Sequence, residues 1–246
     1  MKRMQRTDLP KDAERYLGKR QQTADKKHQQ QKLDPTVDWK SARQTQSMSK
    51  VLATLHGMTG KRQRCMYCLD SHGSDIEHFW PKAVYPEHMY QWANLLLCCT
   101  HCGRLKGNQF PLLGNNPMLV DPTAENPWDS LDFDPLTGNI CARFDVQLNA
   151  WSTKGEKTVE VLQLDQREAL SAGYLQTLRR LSKIVKTAID ADATDAASLA
   201  ERLLSEDDHG LLGWCFSDRA GTVQPFKELR QKLPGVWTHC ANKLRT

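Results

Sequence analysis

The sequence predicts an α+β protein: a small metal-pinned core flanked by helices at both ends. Three observations carry that expectation. Two CxxC pairs, Cys65/Cys68 and Cys99/Cys102, enclose thirty residues. Short apolar segments lie between the pairs. Helical periodicity is strong before them and strongest long after them.

Each CxxC puts two thiolates on one tight knuckle, and two such pairs supply the four soft ligands of a closed tetrahedral Zn²⁺ site. The thirty-residue gap exceeds the roughly 15–20 residues of compact zinc ribbons, so structure must fit between the knuckles. The intervening loop, with Pro81 and Pro86, carries Lys82, His88, Tyr90 and Trp92.

Before the first knuckle, residues 12–17 show a short helical pattern followed by Gly18. The polar run 21–32 reads as a frayed helix or a linker, and Leu33-Asp34-Pro35 breaks the chain. Met48, Val51, Leu52 and Leu55 then define one face of a helix over about 38–56. After the second knuckle, Asn115-Asn116-Pro117 and Asp121-Pro122 read as turns. Leu131-Asp132-Phe133 and the alternating Ile140, Ala142, Phe144, Val146 and Leu148 predict a hairpin with one buried face. Leu170, Tyr174, Leu178, Leu181, Val185 and Ala188 place a helix over 165–189, with Asp165-x-x-Glu168 resembling a capping box. Further helices are expected over about 195–204 and 226–233, the last stopped by Pro234-Gly235. Apolar residues 210–216 read as core or partner surface. The expected domains are a basic helical region (1–60), a core with its supporting hairpin (61–150) and a helical region (151–246).

Charge is distributed unevenly. Residues 1–64 hold 16 Lys/Arg against 6 Asp/Glu, a surplus of +10, whereas the remainder holds 18 against 23, or −5. A basic front end would draw in a polyanion in a salt-sensitive way. Lys61, Arg62 and Arg64, just ahead of the first knuckle, are the first candidates for phosphate contact. No apolar run reaches the roughly 18–20 residues of a membrane span, and Met-Lys-Arg-Met-Gln-Arg leads into polar sequence. Cys98, Cys141, Cys215 and Cys240 are scattered singly, so a reducing compartment fits and the cytoplasm is expected. A Walker A loop, a dinucleotide fingerprint and internal repeats are absent from the sequence.

Several motifs resemble a known family. Cys65-Met66-Tyr67-Cys68, Glu77-His78-Phe79-x-Pro81-Lys82, Trp92-x-Asn94-Leu95-Leu96-Leu97 and Cys99-Thr100-His101-Cys102-x-x-x-Lys106-Gly107-Asn108-x-Phe110-Pro111 look like an HNH endonuclease of the ββα-metal type. Within it, they look most like the nuclease subunit of the Septu phage-defence system and its retron-linked relatives, the PtuB-like proteins. The resemblance covers about residues 60–145 and implies a ββα unit with its first strand over 75–79, part of its second over 95–97 and the start of its helix over 102–108. It implies that His78 strips a proton from water, that Glu77 binds a catalytic Mg²⁺ or Mn²⁺, and that Asn94 ties down the loop and orients the histidine. Lys82 and Lys106 match family lysines that could touch phosphate.

Relatives usually carry His or Asn directly after the last cysteine, where this chain has Gly103. Asn108 and His101 are the candidate substitutes, Asn108 the preferred one, with water filling the rest of the metal's shell. The resemblance also implies an ABC-type ATPase partner of the PtuA kind and hydrolysis of nucleic acid, with DNA expected. The alternatives are an RNA-cleaving nuclease, including one acting on tRNA, and a zinc-knuckle binding or adaptor subunit whose catalytic site has decayed.

Overall fold

The computed structural model describes residues 1–217, 219 and 223–244. They form two compact units, residues 4–124 and residues 1–3 with 125–246. Both mix helices with small two-stranded antiparallel sheets. Among the described residues, no helix is long and apolar enough to cross a membrane.

Residues 4–124 begin with α1 (Lys11–Gln29), one unbroken helix that runs through Gly18 and most of the polar run. The short pattern over 12–17 is therefore part of a longer helix, and of the two readings of the polar run, helix is the one found. One glycine inside a helix costs about 1 kcal/mol, and Ala13, Leu17 and Ala24 bury a common face. The polar residues also hold the helix in place. Arg20 and Lys27 pair with the buried Asp38 at 2.5 and 2.7 Å, and the Tyr90 hydroxyl donates to the same carboxylate at 2.7 Å.

The single helix expected over 38–56 is two. In α2 (Pro35–Ala42), Asp34 accepts from the Thr36 and Val37 amides at the N-terminus. In α3 (Gln46–Met58), Thr45 caps the start by accepting from the Met48 amide. Local side-chain caps of this kind satisfy orphan amides and restart the helix. Met48, Val51 and Leu55 are buried as the periodicity required.

Strand β1 (Asp75–His78) pairs antiparallel with β2 (Leu95–Cys98), with Glu77 opposite Leu96 and His78 opposite Leu95. The chain then enters α4 (Thr100–Lys106). This helix is shorter than expected, because Gly107 at φ 46° turns the backbone out immediately after Lys106. A small hairpin, β3 (Leu112–Leu113) with β4 (Asn116–Pro117), follows.

In the other unit, β5 (Leu131–Phe133) pairs with β6 (Ile140–Ala142). The expected buried alternation ends there. Phe144 lies in a separate hairpin, β7 (Phe144–Asp145) with β8 (Ala150–Trp151), and Val146 and Leu148 are exposed. The Arg143 amide donates to Ser130 O while its carbonyl accepts from the Ser152 amide, so the backbone leaves the first sheet at that residue.

Helix α5 (Thr153–Leu162) was not anticipated, although Ser152 caps it by accepting from the Gly155 amide. Helix α6 (Glu168–Asp190) starts after Arg167, which makes no side-chain cap, so Asp165 and Glu168 do not form the expected capping box. In α7 (Ala196–Glu206), Asp195 accepts from the Ser198 amide. The 210–216 segment is core: α8 (Leu212–Cys215) buries Trp214, and Phe216 is fully enclosed. After α9 (Phe226–Lys232), Pro234 opens α10 (Pro234–Leu244) instead of ending the fold. Proline is favoured at the first position of a helix, where its missing amide would go unpaired anyway.

Candidate metal centre and carboxylate site

The two knuckles close on each other. Cys65 and Cys68 lie on the turn before β1, where the Leu69 amide donates to Cys65 O at 2.9 Å. Cys99 is the N-cap of α4 and Cys102 lies in its first turn. All four are buried, with their sulfurs within 4.8 Å of one another. A tetrahedral Zn²⁺ with bonds of about 2.3 Å would bring its sulfurs to about 3.8 Å apart, so these side chains could hold such an ion after a small contraction. Cys98 stands beside the quartet: its thiol donates to Cys99 O at 3.2 Å and lies 4.0 Å from Cys65 Sγ.

The thirty residues between the knuckles contain β1, a loop and β2, which sets Glu77 against α4. Gly103 is central to that arrangement. A Cβ built on it would lie 3.5 Å from Glu77 Oε2 and 3.8 Å from Cys98 Sγ. Position 103 therefore faces the carboxylate but offers no donor atom. Asn108 falls after the end of α4 and is exposed, and His101 is exposed on the first turn.

Lys106 fills much of the space on the other side of Glu77. It is completely buried, and its ammonium lies 3.1 Å from Glu77 Oε1 while donating to His78 O at 2.7 Å. It also lies 5.9 Å from the centre of the Phe110 ring. Burial pushes the Glu77 carboxyl above its ordinary range, against the pull of Lys106 and Lys82. Burial likewise lowers Lys106, against the pull of Glu77. Desolvation disfavours each charge, and the contact between them offsets part of that cost.

His78 points away from solvent, 3 % exposed. Its ring packs edge-on against Trp39 at 4.2 Å, and Nε2 lies 3.1 Å from Met89 O. A carbonyl only accepts, so Nε2 carries the proton and Nδ1 of the neutral ring does not. Burial, then Lys82 and Lys106, hold the imidazole well below its ordinary pKa. Asn94 clamps the loop: Oδ1 accepts from the Trp80 amide at 2.6 Å, and Nδ2 donates to Trp80 O at 3.0 Å and His88 O at 2.9 Å.

The candidate phosphate contacts separate into groups. Lys61 and Arg62 are exposed, and Lys82 is partly exposed, its ammonium made less basic by burial. Arg64 instead braces the first knuckle, donating to Leu69 O and Asp70 O at 3.0 and 2.6 Å. Lys106 is sealed inside. Sequence reasoning missed Arg6, whose guanidinium donates to the Trp92, Ala93 and Leu95 carbonyls at 2.8, 2.6 and 3.1 Å and so fixes the entry to β2. It also missed the Arg20–Asp38–Tyr90 cluster. Part of the basic front end is therefore structural, and spacing alone gave no sign of it.

The geometry thus describes a class: a mixed α and β protein with a four-cysteine cluster that could hold a metal such as zinc, built around a hairpin and the helix that follows it. No family model matches the chain. Its sequence is 31 % identical over 112 residues to the Septu protein PtuB of Bacillus thuringiensis, covering 44 % of this chain and 38 % of that protein. It is 29 % identical over 136 residues to the Septu protein PtuB of Bacillus mycoides (strain KBAB4), covering 43 % and 44 % respectively. The chain therefore spans less than half the length of these curated relatives. Over that shared region it is similar to the Septu PtuB proteins.

Proposed function

We propose that the chain is a metal-dependent HNH endonuclease that hydrolyses nucleic acid, DNA in the first instance, as the effector of an anti-phage defence system with a PtuA-like ATPase partner. The reading rests above all on the path of the chain from β1 through β2 into α4, which sets Glu77 Oε2 opposite Gly103. An acidic residue, the histidine after it and the first turn of the helix are the three parts that a ββα-metal site needs.

His78 is the proposed base. Its Nδ1 is the ring nitrogen able to take a proton, and a neutral imidazole is the form a base requires. Lys106 and Asn94 position it, Lys106 through the His78 carbonyl and Asn94 by holding the loop that supplies Met89 O.

The quartet of Cys65, Cys68, Cys99 and Cys102 would hold Zn²⁺ as a structural ion. Glu77 Oε2 is the oxygen that would hold Mg²⁺ or Mn²⁺. A hard cation bound through one carboxylate and solvent is within the chemistry of Mg²⁺, so the donor set fits in that reduced form. When bound, such an ion supplies charge to stabilise the departing oxygen. Lys61, Arg62 and Lys82 are the proposed phosphate contacts. Arg64, Lys106 and Asn108 are not carried forward in the roles first expected of them, because they brace the knuckle, lie buried and lie beyond the helix respectively.

A second reading is favoured by specific observations. Gly103 gives no ligand, Lys106 already neutralises Glu77, and His78 is covered by Trp39. A zinc-knuckle binding or adaptor subunit would look the same.

The test incubates the full chain, with its ATPase partner, on plasmid DNA and on RNA with Mg²⁺ or Mn²⁺. On the nuclease reading, His78→Ala lowers the cleavage rate by at least about 100-fold, the scale of losing a general base, and EDTA stops it. Equal cleavage by wild type and His78→Ala, or none by either, supports the binding subunit. Preferential cleavage of RNA would instead assign the alternative substrate.

A further inference from the structure

Hairpin β7–β8 carries apolar surface that nothing covers among the described residues. Phe144, Val146, Leu148 and Trp151 are 37, 82, 76 and 54 % exposed. The hairpin is nonetheless held in one shape. Asp145 Oδ1 accepts from the Gln147 and Leu148 amides at 2.9 and 3.1 Å, and the rings of Phe144 and Trp151 meet across the strands at 5.0 Å. Large apolar side chains grouped in water on a shaped element mark an interaction surface.

Beside the hairpin lies a groove of about 360 Å³, lined by Ala142, Trp151 and Val159 together with Glu156, Glu160 and Asp165, among others. Ala142 and Val159 are buried and the three acids are exposed, so the groove has an apolar floor and an acidic rim. Among the described residues no lysine or arginine lines it. Lys157 pairs with Glu160 at 2.7 Å, and the rim stays net negative. Such a rim repels phosphate and is the wrong surface for nucleic acid. A wholly apolar partner would leave the carboxylates desolvated without partners, and a simple cation would leave the hairpin in water. What meets both halves is a protein segment with lysine or arginine beside apolar side chains. Its cations reach the rim, its apolar groups cover Val146 and Leu148, and a guanidinium can lie over the Trp151 indole.

We propose that hairpin β7–β8 and the groove beside it are the docking surface for a basic, apolar segment of the ATPase partner, with Trp151 as its anchor. Tryptophan is among the side chains that carry most of the binding energy when enclosed at an interface. The acids on the rim select the partner by charge and speed its approach. The inference rests on the proposed ATPase partnership, and it uses no residue of the Glu77 site.

The full chain and the ATPase partner are purified separately and mixed in a titration calorimeter. Trp151→Ala should raise Kd at least about 10-fold, the scale of losing an interface anchor. Glu156→Lys/Glu160→Lys/Asp165→Lys should raise it at least about 10-fold at low salt, and should flatten the rise of Kd with ionic strength that the wild type shows. All four positions are exposed, so melting temperature and zinc content should stay as they are. The two variants change different side chains, so either one decides the matter if the other fails to fold. A complex that forms equally well with both variants overturns the docking surface and leaves the partnership standing. No complex with the wild type overturns both. The docking proposal also falls if the chain alone forms a dimer that Trp151→Ala dissolves, because the face then belongs to a second copy.

Discussion

The cysteine quartet and the Glu77 site both border α4, yet they are completed in opposite ways. The quartet gathers four soft donors from two local knuckles. The Glu77 site has one carboxylate, a glycine where a second donor would stand, and an ammonium already in contact. A closed site of thiolates has affinity enough to organise the fold around an ion. On the proposed reading, a cation at the one shared carboxylate would bind only in competition with Lys106.

Breaking the quartet should have the largest effect. Cys102→Ser should abolish stoichiometric zinc, measured by elemental analysis of the purified chain, and unfold residues 4–124. Apparent binding energies for structural zinc run to about 10–16 kcal/mol. A variant that keeps its melting temperature without metal would show that the quartet is only a cluster of buried thiols.

Removing Lys106 comes next. Lys106→Met leaves Glu77 buried without its partner and should cost about 3–5 kcal/mol at pH 7, read from denaturant midpoints. Adding Glu77→Gln should recover much of the loss, since the orphaned charge goes with it. If the double variant is no better than the single, the pair is not what the lysine supports.

The smallest effect is on pH dependence. Because the folded pKa of His78 lies below its ordinary 6.5, the unfolded chain takes up that proton first as the pH falls. The stability contributed by the neutral ring is therefore complete above about 6.5 and is lost as the pH falls below it, by up to about 1.4 kcal/mol per pH unit. His78→Gln should flatten that limb without changing zinc content, whereas acid release of zinc would persist in both proteins. An unchanged slope in the variant would mean that His78 titrates as it does in the unfolded chain.

Much of residues 65–102 was legible because the information there is local. The spacing of Cys65/Cys68 and Cys99/Cys102, the strand at 75–78 and the strand from Leu95 follow from residues next to one another. The errors fall where local signals compete with distant packing. The polar run 21–32 left helix and linker open, and Arg20 and Lys27, reaching Asp38, hold it as part of α1. Alternation through Leu148 looked like one buried strand, but the backbone leaves the first sheet at Arg143. The helix before Pro234 stops there as expected, but Pro234 also opens a further helix, α10.

By itself the sequence determined which four cysteines come together, since a knuckle needs only two cysteines at fixed spacing and the chain geometry does the rest. It also determined that Glu77 and His78 would share a strand. Only the tertiary structure decided that Lys106 turns inward to Glu77 while Lys61 stays in water, and that Trp39 and Met89 O enclose His78. Burial depends on which faces meet across dozens of residues, and no spacing rule reaches that far.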